Sequence, residues 1–522
     1  MRSTSHTAAT TRTAALLPAL VALLVAALLV SLSLARPRDT TQAVSATTGY
    51  IVVLAGVSGA DGSFQVGGND ALNLAAARQL VTTAGATIKV DLADQVGVLL
   101  VSATPEIAAA LRPSGLVAEV APDFSWKAFS SYDEALASGE LTLVDAAATP
   151  GGGPESSADP LEPLQWDMTQ IRAPQAHELQ AGARTVDVGI LDSGIDGHHP
   201  DFVVDGAGSN VDCARGHNSV FFVPMGPGVG NPDPCIDNHF HGTHVAGTVA
   251  AQANGIGVVG VAPNVTLVPV KVCDSSGFCY ASGVVDGLTY AGDQRLDVIN
   301  MSFFVDDDAF QESTEFKCRS DETQRAFRTA VERALKYANH RGVALVAALG
   351  NSDQDLANPV DENGQPISNE CEVVPAESDG VIGTVSLGNR SEKASYSNYG
   401  HGEADVSAPG GNGTTGDCGT TILSTLPGGA YGCIQGTSMA SPHAAGVAAL
   451  IVSQFGRLSG NGDVSLAPAR VQALLETTAV DIGLAGYDEC FGNGRIDALR
   501  AVAGDTSASS DPSAPHCPEY AE

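Results

Sequence analysis

The chain has 522 residues, 44% hydrophobic and 16% charged, enough for more than one buried core. Its 26 Lys and Arg against 59 Asp and Glu give a formal net charge of -33. A surface that acidic repels phosphate backbones and anionic lipid, which argues against nucleic acid as a partner.

The N-terminus reads as an export signal over residues 1–35. Arg2 and Arg12 precede an apolar run from Ala14 to Leu34, and Ser33-Leu34-Ala35 suits a signal peptidase. The run is nearly long enough to span a bilayer, and Arg36 and Arg38 follow it. Cleavage and secretion are expected. The alternative is a retained membrane anchor with the catalytic part outside the cell.

Residues 48–129 carry a pattern of their own. Tyr50-Ile51-Val52-Val53-Leu54 reads as a buried strand, and Asp70 to Thr83 has helical spacing. Strands are expected over Thr87–Leu92, Val96–Ala103 and Val117–Val120, with a short helix from Pro105 to Leu111. A β-α-β-β-α-β order suits a small two-layer α+β domain. Residues 130–160 read as a linker, because Pro150-Gly151-Gly152-Gly153-Pro154 and its neighbours lack apolar periodicity. Such a segment is where proteolytic nicking concentrates.

Residues 161–503 change texture. Apolar runs such as Val186–Leu191, Leu267–Val272, Val298–Met301 and Val343–Ala348 alternate with Gly-rich turns and helices. This is the pattern of an α/β domain whose mostly parallel sheet is covered on both faces. A Ser/Pro/Asp-rich tail runs over 504–522. All ten cysteines fall between Cys213 and Cys517. Behind an export signal, an even number points to disulfides. Nearest-neighbour pairing gives Cys213–Cys235, Cys273–Cys279, Cys318–Cys371, Cys418–Cys433 and Cys490–Cys517, a connectivity that spacing alone does not fix.

Three blocks carry chemistry. Val188-Gly189-Ile190-Leu191-Asp192-Ser193-Gly194 is an apolar strand ending in a carboxylate, the end that faces the crevice of an open parallel sheet. His241-Gly242-Thr243-His244-Val245-Ala246-Gly247 sets a histidine before small residues that let a helix pack closely. Gly436-Thr437-Ser438-Met439-Ala440-Ser441-Pro442 sets a serine at a helix start, where free N–H groups and the helix dipole stabilise an oxyanion. Taken singly, Asp192 and Ser438 also read as helix caps. His239, His241 and His244 invite a metal-hydrolase reading, but the glutamate that accompanies a zinc-peptidase His pair is missing.

Together, in the order Asp…His…Ser, the blocks resemble the subtilisin-like serine peptidases, whose chain order this is. The resemblance spans Trp166 to Val502, with minor matches at Gln170–Pro174, Ser407–Gly410 and Gly494–Ala498. It implies a three-layer α/β/α fold and a serine endopeptidase acting on proteins or peptides through an acyl-enzyme, with no organic cofactor. Asp192, His241 and Ser438 would form the triad. Asn351, in Ala347-Ala348-Leu349-Gly350-Asn351, would donate to the oxyanion, whereas Asn300 would satisfy buried backbone groups. A peptide-binding scaffold without activity is the rival, against intact triad positions.

The same resemblance makes residues 48–129 an inhibitory propeptide of a self-processing zymogen, and a monomer is expected. It places substrate beside Ser302, Phe303 and Gly350. After Ser302 the chain departs from the family's glycines, continuing as Phe303-Phe304-Val305-Asp306-Asp307-Asp308. A structural calcium ion is the remaining expectation. Asp201 and Asn254 would offer side chains, and Gln252, Ile256 and Val258 carbonyl groups, with Glu162 or Gln165 completing the set.

Overall fold

The computed structural model describes residues 49–515 except 60–61, 66–69, 113, 145–158, 205–207, 223–230, 305–315, 361–363, 414–416 and 459–463. The signal segment, the Gly/Pro-rich part of the linker, the acidic stretch after Phe304 and Cys517 therefore lie outside the described residues.

The N-terminal region builds a four-stranded antiparallel sheet. Its strands are β1 (Gly49–Leu54), β2 (Thr87–Leu92), β3 (Val98–Ser102) and β4 (Val117–Pro122), in the order β2-β3-β1-β4. Helices α1 (Asp70–Thr83) and α2 (Pro105–Leu111) alternate with the strands as the periodicity predicts. Every residue of β1 is buried, because both faces of the sheet are covered. Val52, Leu54, Leu99 and Val101 face a local core. Ile51, Val53, Leu100 and Ala121 face the large domain instead.

Two elements lie where a featureless linker is expected. After β5 (Ser125–Lys127), the chain forms α3 (Tyr132–Ser138) and β6 (Thr142–Val144). Ser131 and Glu134 form a capping box that starts α3, a local signal the Gly/Pro pattern further on obscures.

The large domain is organised by seven parallel strands. These are β7 (Asp187–Asp192), β8 (His217–Asn218), β9 (Thr266–Lys271), β11 (Val298–Met301), β12 (Ala344–Ala348), β13 (Val381–Leu387) and β14 (Val406–Pro409). Their order is β8-β9-β7-β11-β12-β13-β14, with every neighbour parallel. The helices of this domain include α4 (Trp166–Gln170), α5 (His241–Ala250), α6 (Ala281–Gln294), α7 (Glu322–His340) and α8 (Thr437–Phe455). On one face Val188, Ile190, Val298 and Val346 pack against α5 and α8. On the other Leu191, Val270, Ile299 and Leu345 pack against α6 and α7. The result is the expected three-layer α/β/α arrangement.

Two of the smaller sheets join the segment after β4 to this frame. The short strand β10 (Phe278–Tyr280) pairs antiparallel with β5. The hairpin β15 (Ile422–Leu426) and β16 (Ala430–Ile434) takes β6 as its third strand. Cys213–Cys235, Cys273–Cys279, Cys318–Cys371 and Cys418–Cys433 are joined as nearest-neighbour pairing predicts. The N-terminal sheet docks on α7, where Arg333 donates to the Leu54 carbonyl at 3.0 Å and Arg325 pairs with Glu119 at 2.8 Å.

Candidate active site

Asp192 ends the interior strand β7, and its side chain is fully buried. Both its oxygens lie within hydrogen-bond reach of His241 Nδ1, at 2.9 and 3.0 Å. The Ser193 amide donates to Asp192 Oδ1 at 2.7 Å and fixes the carboxylate. His241 opens α5, and glycines bring that helix close. A Cβ on Gly242 would fall 2.1 Å from the Gly194 carbonyl oxygen, and one on Gly247 2.2 Å from Thr425 Oγ1. The turn into α5 is held by Asp237, which accepts from the His239 amide, Ser193 Oγ, and both the amide and hydroxyl of Thr243. Sequence reasoning missed Asp237. The signal available was an acid four residues before the histidine, ahead of a helix without a capping side chain of its own.

Ser438 lies in the first turn of α8 and is partly exposed. Pro442 cannot donate an amide to the Ser438 carbonyl, so Ser302 Oγ donates to it instead, at 2.8 Å. In return Ser438 Oγ donates to the Ser302 carbonyl at 3.0 Å. Asn300 is buried and satisfied by two hydroxyls, those of Ser302 and Ser441, and not by backbone groups as expected. Asn351 is exposed, and its Oδ1 accepts from the Thr437 amide at 2.9 Å and Thr437 Oγ1 at 2.8 Å. With the carbonyl end so held, the Nδ2 end is left to donate. Gly350 has φ +112° and donates its amide to Thr437 Oγ1 at 3.2 Å.

The segment after β4 reaches this site. Asp123 accepts from the Ser282 amide at 2.9 Å and its hydroxyl at 2.7 Å, at the start of α6. Burial pushes the Asp123 carboxyl up to about 6. β5 then pairs with β10, and Ala128 donates to the Gly277 carbonyl at 2.9 Å. Trp126 is buried against Phe303, their ring centroids 6.4 Å apart. Phe129 stacks on the His241 imidazole at 3.7 Å, and the Ser130 carbonyl contacts His239 Nε2 at 2.8 Å. The edge that receives an extended segment is therefore Gly277 to Tyr280. The substrate positions expected from sequence were Ser302, Phe303 and Gly350, and the chain after Phe304 lies outside the described residues. Gly277 has φ +82°, and a Cβ there would fall 2.2 Å from the Phe129 carbonyl oxygen. Only glycine lets the two backbones approach this closely.

The three histidines do not converge. His239 points to Ser130, His241 to Asp192, and His244 Nε2 to the Ile422 carbonyl at 3.0 Å. Burial lowers His239 to about 4 and His244 to about 3, so both are neutral at pH 7.

The expected calcium loop is a partial fit. Asp201 is buried and accepts from the Val258 amide at 2.9 Å through Oδ2, while its Oδ1 has no partner. Burial and the nearby Asp159 push Asp201 up to about 8. Gln165 is turned to Val259 through both ends of its amide, and the carboxylate beside Asp201 is that of Asp159. Asp159 accepts from the Asn254 and Gly255 amides. Asn254 Oδ1 accepts from the Ile256 amide, and the Gln252 side chain is held by Arg184 and the Phe202 carbonyl, which leaves its backbone carbonyl for the part expected of it. Two buried carboxylates, one with an orphaned oxygen, fit a hard cation.

Residues 183–494 match the Subtilase family. Subtilisin from Bacillus pumilus is 34% identical over 339 residues, covering 65% of this chain and 98% of that one. Subtilisin E from Bacillus subtilis is also 34% identical, over 65% of this chain and 71% of its own. The epidermin leader peptide processing serine protease of Staphylococcus aureus superposes with a TM-score of 0.65 at 21% identity, covering 89% of this chain and 100% of that one. That likeness supports the fold. On the strength of the family match and the identity to the subtilisins, the chain belongs to the subtilase family and is a serine endopeptidase.

Proposed function

We propose that this endopeptidase works through Ser438, His241 and Asp192, and that it is secreted as a zymogen silenced by residues 48–129. The observation that carries the catalytic reading is the contact of His241 Nδ1 with the buried Asp192 carboxylate at 2.9 Å. It fixes the tautomer that leaves Nε2 free to take a proton. Ser438 Oγ leaves the Ser302 carbonyl, gives its proton to His241 Nε2 and attacks the scissile carbonyl carbon. Asp192 stabilises the imidazolium. The oxyanion receives the Ser438 amide and Asn351 Nδ2. His241 then protonates the departing amine, and water repeats the sequence on the acyl-enzyme.

The zymogen reading is supported by β5 on β10 and by Phe129 over His241, which cover the imidazole that must act. Secretion is supported by the signal-like segment 1–35 and by the four disulfides described above, a bond type that persists in oxidising compartments. Among the described residues no helix is long and apolar enough to cross a membrane. The Ser438→Ala chain tests both parts. It should lack peptidase activity beyond the residual oxyanion and binding contribution, and it should remain unprocessed in a protease-deficient host. Wild-type turnover refutes the triad, and normal trimming refutes self-processing.

A structural calcium ion held by Asp159, Asp201, Asn254 and the carbonyls of Gln252, Ile256 and Val258 completes the proposal. It would neutralise two buried carboxylates and brace the loop after α5. A chelator should lower the Tm of the wild type, and Asp201→Asn should remove that difference. A Tm indifferent to chelation refutes the site.

A further inference from the structure

β10 is only three residues long, yet it is the strand to which an incoming segment adds. An edge so short has few bonds of its own, and a mobile edge must be ordered each time a substrate pairs with it. Here it is clasped. The disulfide Cys273–Cys279 closes a hairpin whose outer arm is β10, six residues apart in sequence. Inside the hairpin Asp274 Oδ1 accepts from the Ser276 amide at 2.8 Å and the Phe278 amide at 3.1 Å, and Oδ2 accepts from Tyr280 OH at 2.7 Å. The Asp274 amide donates to the Phe278 carbonyl at 2.8 Å, and the Tyr280 amide to the Val272 carbonyl at 3.2 Å. The inner arm is anchored at the site itself, because the amides of Val272 and Cys273 both donate to the Asp192 carbonyl, at 2.9 and 3.2 Å. The residue that orients His241 and the strand that receives β5 are thus joined through one covalent clasp.

We propose that the Cys273–Cys279 disulfide is a positioning device for extended substrates: it fixes β10 relative to Asp192, so that a segment added to β10 arrives at His241 in register. The proposal rests on the endopeptidase reading above. Its effect belongs to substrates long enough to pair with Phe278–Tyr280, which separates it from a general contribution to stability.

The test uses the mature enzyme and two chromogenic peptides, one with a single residue before the cleaved bond and one with five. Active enzyme is counted by titration with phenylmethylsulfonyl fluoride. In the Cys273→Ser/Cys279→Ser variant, the ratio of the long-peptide KM to the short-peptide KM should rise about tenfold, with the long-peptide kcat within twofold. An unchanged ratio, or an equal loss of kcat on both peptides, overturns the proposal. If the double variant does not accumulate, Asp274→Ala decides, since it loosens the hairpin with the disulfide intact. The same ratio should rise by a smaller factor, and an unchanged ratio overturns the idea. A wild type whose kcat/KM does not increase with peptide length refutes strand addition at β10, the reading beneath the proposal, before any variant is made.

Discussion

Replacing Phe129 by alanine is the most direct probe of the zymogen reading. The ring is 9% exposed and stacks on His241 at 3.7 Å. Burying a phenylalanine side chain is worth about 1.5–3 kcal/mol, and an aromatic pair adds about 1 kcal/mol. Part of that burial survives in any collapsed segment, so a loss of about 2–3 kcal/mol is the reasonable expectation. It corresponds to a ~30- to 150-fold weaker inhibition constant. The assay adds the segment 48–131, with and without Phe129→Ala, to mature enzyme and follows a chromogenic peptide. Circular dichroism confirms that the two segments share one fold, and Phe129→Tyr should restore most of the inhibition. Equal inhibition by the alanine segment would show that the ring does not cover His241 in solution. The argument from stacking would then fall, although pairing of β5 with β10 could stand without it.

Three further outcomes are expected. Asn351→Ala should lower kcat by ~100-fold or more with little change in KM, the loss known for a side-chain oxyanion donor in subtilisin; a change confined to KM would assign Asn351 to substrate positioning. Thr437→Val removes one of the two hydrogen bonds that hold Asn351 Oδ1, and kcat should fall by about tenfold, less than for Asn351→Ala; a loss as large as that of Asn351→Ala would give Thr437 a direct part. Docking of the propeptide should weaken as pH rises through about 6. The Asp123 carboxyl is raised by burial from an ordinary value near 4, so its contribution is fully present below that value and lost above the docked one. Inhibition constants for the segment at pH 4.5 and pH 8 measure the effect, and Asp123→Asn should flatten the difference.

Legibility from sequence followed the range of the interactions. The ends of β7, α5 and α8 are written in short local patterns, and the structure puts Asp192, His241, Ser438 and Asn351 at or beside those ends. The elements of the N-terminal sheet were legible for the same reason, since β1 is a continuous apolar run and α1 an unbroken stretch of helix formers ahead of Gly85. What escaped depends on distant partners. Phe129 reads as one apolar residue beyond a strand, and nothing near it announces a histidine 112 positions away. Asp159 looks like part of an acidic loop until Asp201 is beside it. β6 has three residues and becomes a strand only because β16 offers it an edge. β10 is equally short, and its identity comes from β5 and the Cys273–Cys279 closure.

The exchange between Ser302 and Ser438 has a consequence for anyone redesigning substrate choice. The residues that follow Phe304 are the natural stretch to swap for loops from other subtilases. A graft beginning at residue 302 would also replace the hydroxyl that stands in for the amide proline lacks at position 442. The graft and the helix carrying Ser438 would then have to be redesigned as a pair, although 136 positions separate them. A splice placed after Phe303 leaves that linkage intact. It makes the stretch after Phe303 a replaceable module and the serine its fixed socket.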